Sequence, residues 1–341
     1  MAVQRRSGAA ATLALLLAGA AQAAVFVEDE ALQSAAWEGY KRAYGRSYET
    51  ADEEAARFET FLDNLRLADA RNEEERAAAG NAVHGITRFS DLTQAEFRAK
   101  FTTSRPPAPG KHEVAADDDA LLGDAPIVAD WTGKMTTPVK DQGACGSCWA
   151  FSAVEQIESD AMRTLGLSVL LSPQQVVSCD YTSFGCSGGW TEHAYDYVTD
   201  VGGIESEASL PYTSYNGMTG TCASTPSEYL VSVSGYETVS GENAMAKYVG
   251  GTGPLSVCVD ASRWSTYTDG VMKECGTNIN HCVQAVGVDT GAGYWLVRNS
   301  WGTDWGEGGF IRLEFGQDTC GLTSDPTYAE VTKTQTSKAQ A

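Results

Sequence analysis

All nine cysteines of this 341-residue chain lie between Cys145 and Cys320, and none occurs in residues 24 to 124. A chain divided in this way is built of two unlike parts, one stapled by sulfur and one held by packing alone. Ahead of both, Arg5-Arg6 precedes an apolar run from Ala9 to Ala18 and then Ala21-Gln22-Ala23. This is the layout of a secretory signal cleaved after about Ala23, the run being too short and its end too rich in small residues for a retained anchor. No later apolar stretch is long enough to span a bilayer. An oxidising destination makes disulfides the default for most of the thiols, and the odd count leaves at least one unbridged within the chain.

The formal charge of −21 excludes a basic nucleic-acid surface. Such acidity reads as solubility in an extracellular or vacuolar lumen, while a preference for cationic substrates requires a particular acidic residue in a pocket. The 43% hydrophobic content suffices for a packed core in two or three domains.

From Trp37 to Asn72 apolar residues recur at helical spacing, Phe58, Phe61, Leu62 and Leu65 among them, with Glu and Arg interleaved. Two helices joined near Gly45 and Tyr48 are predicted. Between Phe101 and Asp124 the chain turns to Pro106, Pro107, Pro109, Gly110 and the acidic run Asp117-Asp118-Asp119, a linker composition. Core-like patterning resumes at Ile127-Val128-Ala129-Asp130-Trp131, which places a mature N-terminus near Asp124 or Ala125. Residues 331–341 lack periodicity and read as a flexible tail.

The stretch Asp141-Gln142-Gly143-Ala144-Cys145-Gly146-Ser147-Cys148-Trp149-Ala150-Phe151 places a thiol where a loop turns into a helix. Unpaired backbone N–H groups at a helix N-terminus favour thiolate over thiol, so Cys148 is positioned to be a nucleophile. The run Cys-Gly-Ser-Cys-Trp resembles the nucleophile signature of papain-like cysteine proteases. Upstream, Glu53, Arg57, Phe61, Asn64 and Asn72 resemble the E-x3-R-x3-F-x2-N-x3-I-x3-N pattern of cathepsin L-like propeptides, with Ala68 in place of Ile. Gly85, Thr87, Phe89 and Asp91 resemble a second propeptide motif, G-x-N-x-F-x-D, with Thr87 replacing Asn.

The resemblance implies an α+β, two-domain, papain-like fold: a helical domain, an antiparallel β-barrel-like domain and an active-site cleft between them, preceded by a helical propeptide. The domains expected are a signal peptide at 1–23, an inhibitory propeptide at 24–124 and a peptidase domain at 125–341. The helix opened by Cys148 should continue through Ala153, Val154 and Ile157. Alternating runs at Leu255 to Val259, Val283 to Val288 and Tyr294 to Val297 read as antiparallel strands.

A cysteine protease also needs a base, a group that orients it and oxyanion donors. The mature region holds only His193 and His281. His281 follows Cys148 by 133 residues, within the roughly 130 to 150 of the papain-like pattern. His193, after a glycine pair on a helix, reads as a surface residue. By resemblance Asn299 orients the imidazole, Trp301 shields that hydrogen bond from water, and Gln142 serves the oxyanion with the Cys148 amide. The implied cycle is attack by the Cys148 thiolate, protonation of the leaving amine by His281, and hydrolysis of the thioester.

By resemblance again, Cys145 pairs with Cys186, Cys179 with Cys222, and Cys275 with Cys320; spacing alone does not choose among connectivities. Cys258 and Cys282 remain, either as a fourth bridge or as two buried thiols. Both fall where the family lines its S2 pocket, together with Trp190, Thr191 and Ile279. The same alignment puts Asp325 at the S2 floor, where a carboxylate would accept Arg or Lys at P2 and lose that selectivity once protonated; a solvated loop aspartate is the alternative. Gly188 and Gly189 offer backbone groups to an extended peptide.

Cys145-Gly146-Ser147-Cys148 also fits a thiol-disulfide oxidoreductase, or with Cys179 and Cys186 a zinc site, yet neither explains Gln142, His281 and Asn299. A binding-only homologue predicts a substituted catalytic position, and none is seen. No histidine-bearing insertion of the cathepsin B kind would cap the cleft, which favours an endopeptidase. The expectation is a monomeric zymogen without metal or cofactor. Its partners are peptide and protein substrates and its own propeptide, and it is destined for the lysosome, vacuole or exterior.

Overall fold

The computed structural model describes residues 24–102, 113–114 and 125–334. The expected signal at 1–23, most of the Pro-rich linker and residues 335–341 lie outside the described residues.

The front segment begins with α1 (Glu30–Tyr44) and α2 (Ala51–Ala77). Asp29 caps α1 by accepting from the Ala31 and Leu32 amides, and Gly45, at φ 60°, ends it in a left-handed conformation that a side chain would resist. Thr50 caps α2 through the Glu53 amide, while the Glu53 carboxylate accepts from the Glu49 amide, so the first motif residue serves the helix start. Trp37, Tyr40, Phe61, Leu62 and Leu65 fill the hairpin as a small aromatic core. The chain returns along α2 through β1 (Val83–His84) and closes with α3 (Gln94–Phe101), started by the Thr93 and Glu96 capping box. Asn64 donates to the Ser90 and Leu92 carbonyls. Asn72 donates to the His84 carbonyl and accepts from its amide. Those two asparagines, one helix face apart, pin the return path.

The remaining helices are α4 (Cys148–Leu165), α5 (Pro173–Cys179), α6 (Thr191–Val201) and α7 (Glu242–Gly251). The later strands are β2 (Glu113–Val114), β3 (Val128–Asp130), β4 (Ile204–Glu205), β5 (Tyr229–Val239), β6 (Leu255–Val259), β7 (Tyr267–Asp269), β8 (Val271–Met272), β9 (His281–Asp289), β10 (Tyr294–Arg298), β11 (Phe310–Glu314) and β12 (Thr327–Lys333). All but β7 form an open sheet in the order β2-β5-β12-β6-β9-β10-β11-β8, with β3 on β9 and β4 on β5. The described strands do not close into the barrel-like ring that was expected, because the order ends in two short parallel pairings, β2 with β5 and β8 with β11.

A correction concerns the C-terminal segment: residues 331–333 are not a loose tail. Val331 is 8% exposed and its strand pairs with β5 across Val231, Ser232 and Val233. Three residues alternating in and out give too short a pattern to be heard in sequence. Similarly, Glu113 and Val114 in the linker region pair in parallel with Thr238 and Val239.

Two cores divide the rest. One surrounds α4, with Trp149, Phe151, Val154 and Ile157 against Val176, Tyr195 and Val198. The other fills the sheet around Trp264, Trp295, Trp301 and Trp305, and the prosegment residues Phe89, Phe97 and Phe101 belong to it. β1 adds itself to β7, with Val83 opposite Asp269 and His84 opposite Tyr267. Replacing Asn72 with Ala would leave the His84 amide and carbonyl buried without partners, a loss of about 1–3 kcal/mol. We expect a lower unfolding midpoint for the full-length Asn72→Ala precursor in urea; an unchanged midpoint would refute the pinning role.

Candidate active site

Cys148 is the first residue of α4 and is fully buried. Ser147, the residue before it, makes no side-chain cap, because its hydroxyl pairs with the Tyr212 hydroxyl at 2.9 Å. Tyr212 in turn donates to the Gln142 carbonyl at 2.8 Å. The N-cap hydroxyl therefore does not cap the helix start that carries the thiol, whose N-terminal end favours the anion. Four disulfides join Cys145 to Cys186, Cys179 to Cys222, Cys258 to Cys282 and Cys275 to Cys320. Cys148 is outside all of them.

One turn along α4, the Ser152 hydroxyl donates to the Val283 carbonyl and meets the Ser256 hydroxyl, each at 2.7 Å. Cys148 and Ser152 share a helix face, and His281 and Val283 share a strand face, so the thiol and imidazole positions are carried on facing elements. Gln284 extends the attachment, donating to Gln156 Oε1 at 2.9 Å and Ser159 at 3.0 Å, and accepting from Arg298 at 2.6 Å. Arg298 is buried 3.5 Å from Glu155, whose carboxyl is pushed up to about 7 by burial, Arg298 and Lys140 opposing that shift.

The His281 ring is fully buried with Nε2 2.8 Å from Asn299 Oδ1. The amide oxygen is an acceptor, so Nε2 carries the proton and Nδ1 is left as the acceptor. That Nδ1 has no hydrogen-bond partner among the described residues. The Ser300 amide holds Asn299 Oδ1 from behind at 2.8 Å. Trp301 stacks on the imidazole at 4.7 Å and 28°, and Trp264 meets it edge-on at 6.0 Å. Burial pushes the imidazole down to about 4, the Asn299 hydrogen bond acting the other way.

Gln142 is fully buried and fixed by the Ser300 hydroxyl, which donates to its Oε1 at 2.7 Å. Its amide donates to the Cys145 carbonyl at 2.8 Å and to the Phe101 carbonyl at 3.3 Å. The prosegment thus presents a main-chain carbonyl to the Gln142 donor. Phe89, Phe97 and Phe101 crowd Trp301 with ring centroids 5.2, 5.3 and 6.4 Å away.

At the predicted specificity pocket, Thr191 opens α6 and Trp190 precedes it, its ring tilted at 54° to a half-buried His193 with centroids 4.8 Å apart. Cys258 and Cys282 face each other on β6 and β9, and Cys258 Sγ lies 3.9 Å from Asp325 Oδ2. Asp325 is 3% exposed, so its carboxyl is buried and not on a solvated loop. Ile279 packs on Gly321, beside Cys320. Of the glycine pair, Gly188 engages its own loop, accepting from Phe184 at 2.9 Å and donating to Gly185 at 3.4 Å. Gly189 must lack a side chain, since a Cβ there would lie 2.6 Å from the Trp149 ring.

Sequence reasoning missed several contacts. Arg71 donates to the Arg263 carbonyl at 3.0 Å and the Thr266 hydroxyl at 2.7 Å, and Arg88 reaches Asp141 at 2.7 Å and the Trp301 carbonyl. Glu192, buried beside Asp325, was also missed. A charged residue on an amphipathic helix gives no sequence signal of its cross-chain partner.

The comparisons agree with this geometry. The family described as papain family cysteine protease matches residues 125–330, and the cathepsin propeptide inhibitor domain matches residues 37–97. The chain belongs to the papain family of cysteine proteases. It is 39% identical to Cysteine proteinase 2 of Leishmania pifanoi over 95% of this chain and 75% of that protein. It is 37% identical to the Cathepsin L-like proteinase of Phaedon cochleariae over 90% of this chain and 96% of that one. Digestive procathepsin L2 proteinase from the Tenebrio molitor larval midgut superposes with TM-score 0.76 at 34% identity, covering 87% of this chain and 99% of that chain. This papain-family chain is a cathepsin L-like cysteine endopeptidase carrying its propeptide. None of its described helices is long and apolar enough to cross a membrane.

A pH effect follows at the propeptide junction. His84 is buried with Nδ1 2.9 Å from Thr266 Oγ1, and burial, then Arg71 and Arg263, push it from 6.5 down to about 3. The unfolded chain binds a proton there that the folded chain does not, so this contribution to stability is complete above about 6.5 and is lost as pH falls toward 3. Replacing His84 with Gln should remove that part of the acid sensitivity. The melting-temperature difference between His84→Gln and the parent should grow in the variant's favour below pH 6.5, and a constant difference would contradict it.

Proposed function

We propose that this protease is a zymogen of the secretory pathway, for the lysosome, vacuole or exterior, that hydrolyses peptide bonds through a Cys148 thioester after loss of residues 24 to about 124. The observation that carries the reading is His281, held between Asn299 and Trp301 on a strand tied by hydrogen bonds to the helix that Cys148 opens. The basic-residue start, the short apolar run and the four disulfides support the secretory route.

In this reading the Cys148 thiolate adds to the scissile carbonyl carbon. The oxygen takes the negative charge, stabilised by the Cys148 amide and the Gln142 side chain. Imidazolium Nδ1–H, the one ring position not turned to Asn299, protonates the departing amine as the C–N bond breaks. Water then attacks the thioester, giving its proton to His281 and releasing the acid and the thiolate. In the precursor the Phe101 carbonyl on Gln142 supports inhibition, since it takes a donor that the oxyanion would need.

The buried Asp325 carboxyl beside Cys258 supports an S2 pocket that accepts Arg or Lys at P2 as well as apolar residues. Trp190, Thr191, Ile279, Cys282 and the Gly189 backbone complete the proposed substrate surface.

Cys148→Ala should abolish measurable peptide hydrolysis in the processed enzyme. Gln142→Ala should lower kcat about 10²–10³-fold. Asp325→Ala should drop the ratio of kcat/KM for P2-Arg over P2-Leu peptides while sparing the Leu value. Burst and steady-state assays on a P2-varied library check all three, and full activity of Cys148→Ala would sink the mechanism.

A further inference from the structure

Asp325 does not stand alone. Glu192, in the first turn of α6, is 4% exposed, and Thr191 Oγ1 lies 3.2 Å from Glu192 Oε2 and 3.4 Å from Asp325 Oδ2. A hydroxyl has one proton to give, so it satisfies one carboxylate oxygen and leaves the other to find its own. Glu192 Oε1 is buried without a hydrogen-bond partner. Among the described residues no Lys or Arg ion-pairs with either group. The titratable groups facing them are His193 and Tyr195 on α6, Tyr236 on β5 and, through Tyr195, Asp160 on α4. Burial holds both phenols neutral, so His193 is the sole nearby base acting on Glu192.

We propose that Glu192 is a second determinant of P2 specificity, forming with Asp325 one proton-sharing carboxyl pair that meets a basic P2 side chain as a unit. The proposal rests on the placement of Asp325 in S2. Two carboxyls this close, bridged by one hydroxyl and ion-paired to no Lys or Arg among the described residues, do not ionise independently. Burial pushes both carboxyls up; the helix N-terminus and His193 oppose that on Glu192, while Glu192 adds to it on Asp325, which keeps the proton. At acid pH the end of the pocket is then a neutral carboxyl beside apolar walls and a disulfide, suited to Leu or Phe. As pH rises and the shared proton leaves, the same surface becomes suited to Arg or Lys. Glu192 thereby sets where on the pH scale the enzyme changes substrate class.

The test compares activated parent, Glu192→Gln and Asp325→Asn enzymes on P2-Arg and P2-Leu peptides from pH 4 to 8. In the parent, the Arg-to-Leu ratio of kcat/KM should rise with pH. In Glu192→Gln the midpoint of that ratio should move acidward by about one unit or more, and in Asp325→Asn the ratio should be flat. A Glu192→Gln midpoint equal to the parent's, with Asp325→Asn flat, overturns the pair while leaving Asp325 in S2. A profile in Asp325→Asn that still rises like the parent's overturns the S2 placement and the pair with it. Should Glu192→Gln yield no folded enzyme, side-chain carboxyl carbon-13 titration of the parent decides. Two displaced, interacting steps support the pair, and one step at an ordinary carboxylate value overturns it.

Discussion

The attachment of α4 to β9 is the constraint on which the rest of the structure depends. One hydroxyl, Ser152, reaches the Val283 carbonyl, and one amide, Gln284, reaches into the helix between Gln156 and Ser159. Buried polar groups of this kind are costly unless all are satisfied together, so they allow very few relative placements of helix and strand. The chemistry needs that restriction, because a thiol at a helix start and an imidazole at a strand start come from opposite ends of the domain sequence. Positioning to within a fraction of an ångström then comes from neighbours that never touch substrate.

The prosegment uses the same elements as handles. It forms a separate two-stranded sheet by pairing β1 with β7, places three phenylalanines on Trp301, and sends Arg71 and Arg88 across to main-chain carbonyls of the protease. Main-chain acceptors suit such a job, since they cannot be altered by substitution in the protease. The interface therefore combines these backbone contacts with side-chain ones, Arg71 on the Thr266 hydroxyl and Arg88 on Asp141 among them.

Much of this was legible in the sequence. The helical hairpin, the α4 start, β6, β9 and β10 announced themselves through period and punctuation, and the spacing of Cys148 and His281, with the family resemblance around Asn299, brought the proposed site together before any coordinates. What escaped was of two kinds. Short pairings such as residues 331–333 on β5, or 113–114 at the far edge, are fixed by neighbours and not by their own pattern. Residues such as Arg71, His84 and Glu192 look like ordinary helix or loop polar groups until the fold supplies a partner from elsewhere in the chain. Gly188 was half read: its loop role was invisible because a glycine pair signals a turn without saying which glycine turns.

The aromatic packing around Trp301 has a consequence beyond covering a site. Phe89, Phe97 and Phe101 meet that indole edge to face while His281 stacks on it, in a setting where burial makes the imidazole a weak base. How strongly an imidazole holds a proton depends on how much water surrounds it. Loss of the three phenylalanines would give water access to the tryptophan, and the imidazole stacked on it would recover some of its ordinary basicity. Release of the prosegment is in that sense a chemical adjustment as well as a mechanical one: the same departure that opens the groove tunes the proton carrier inside it.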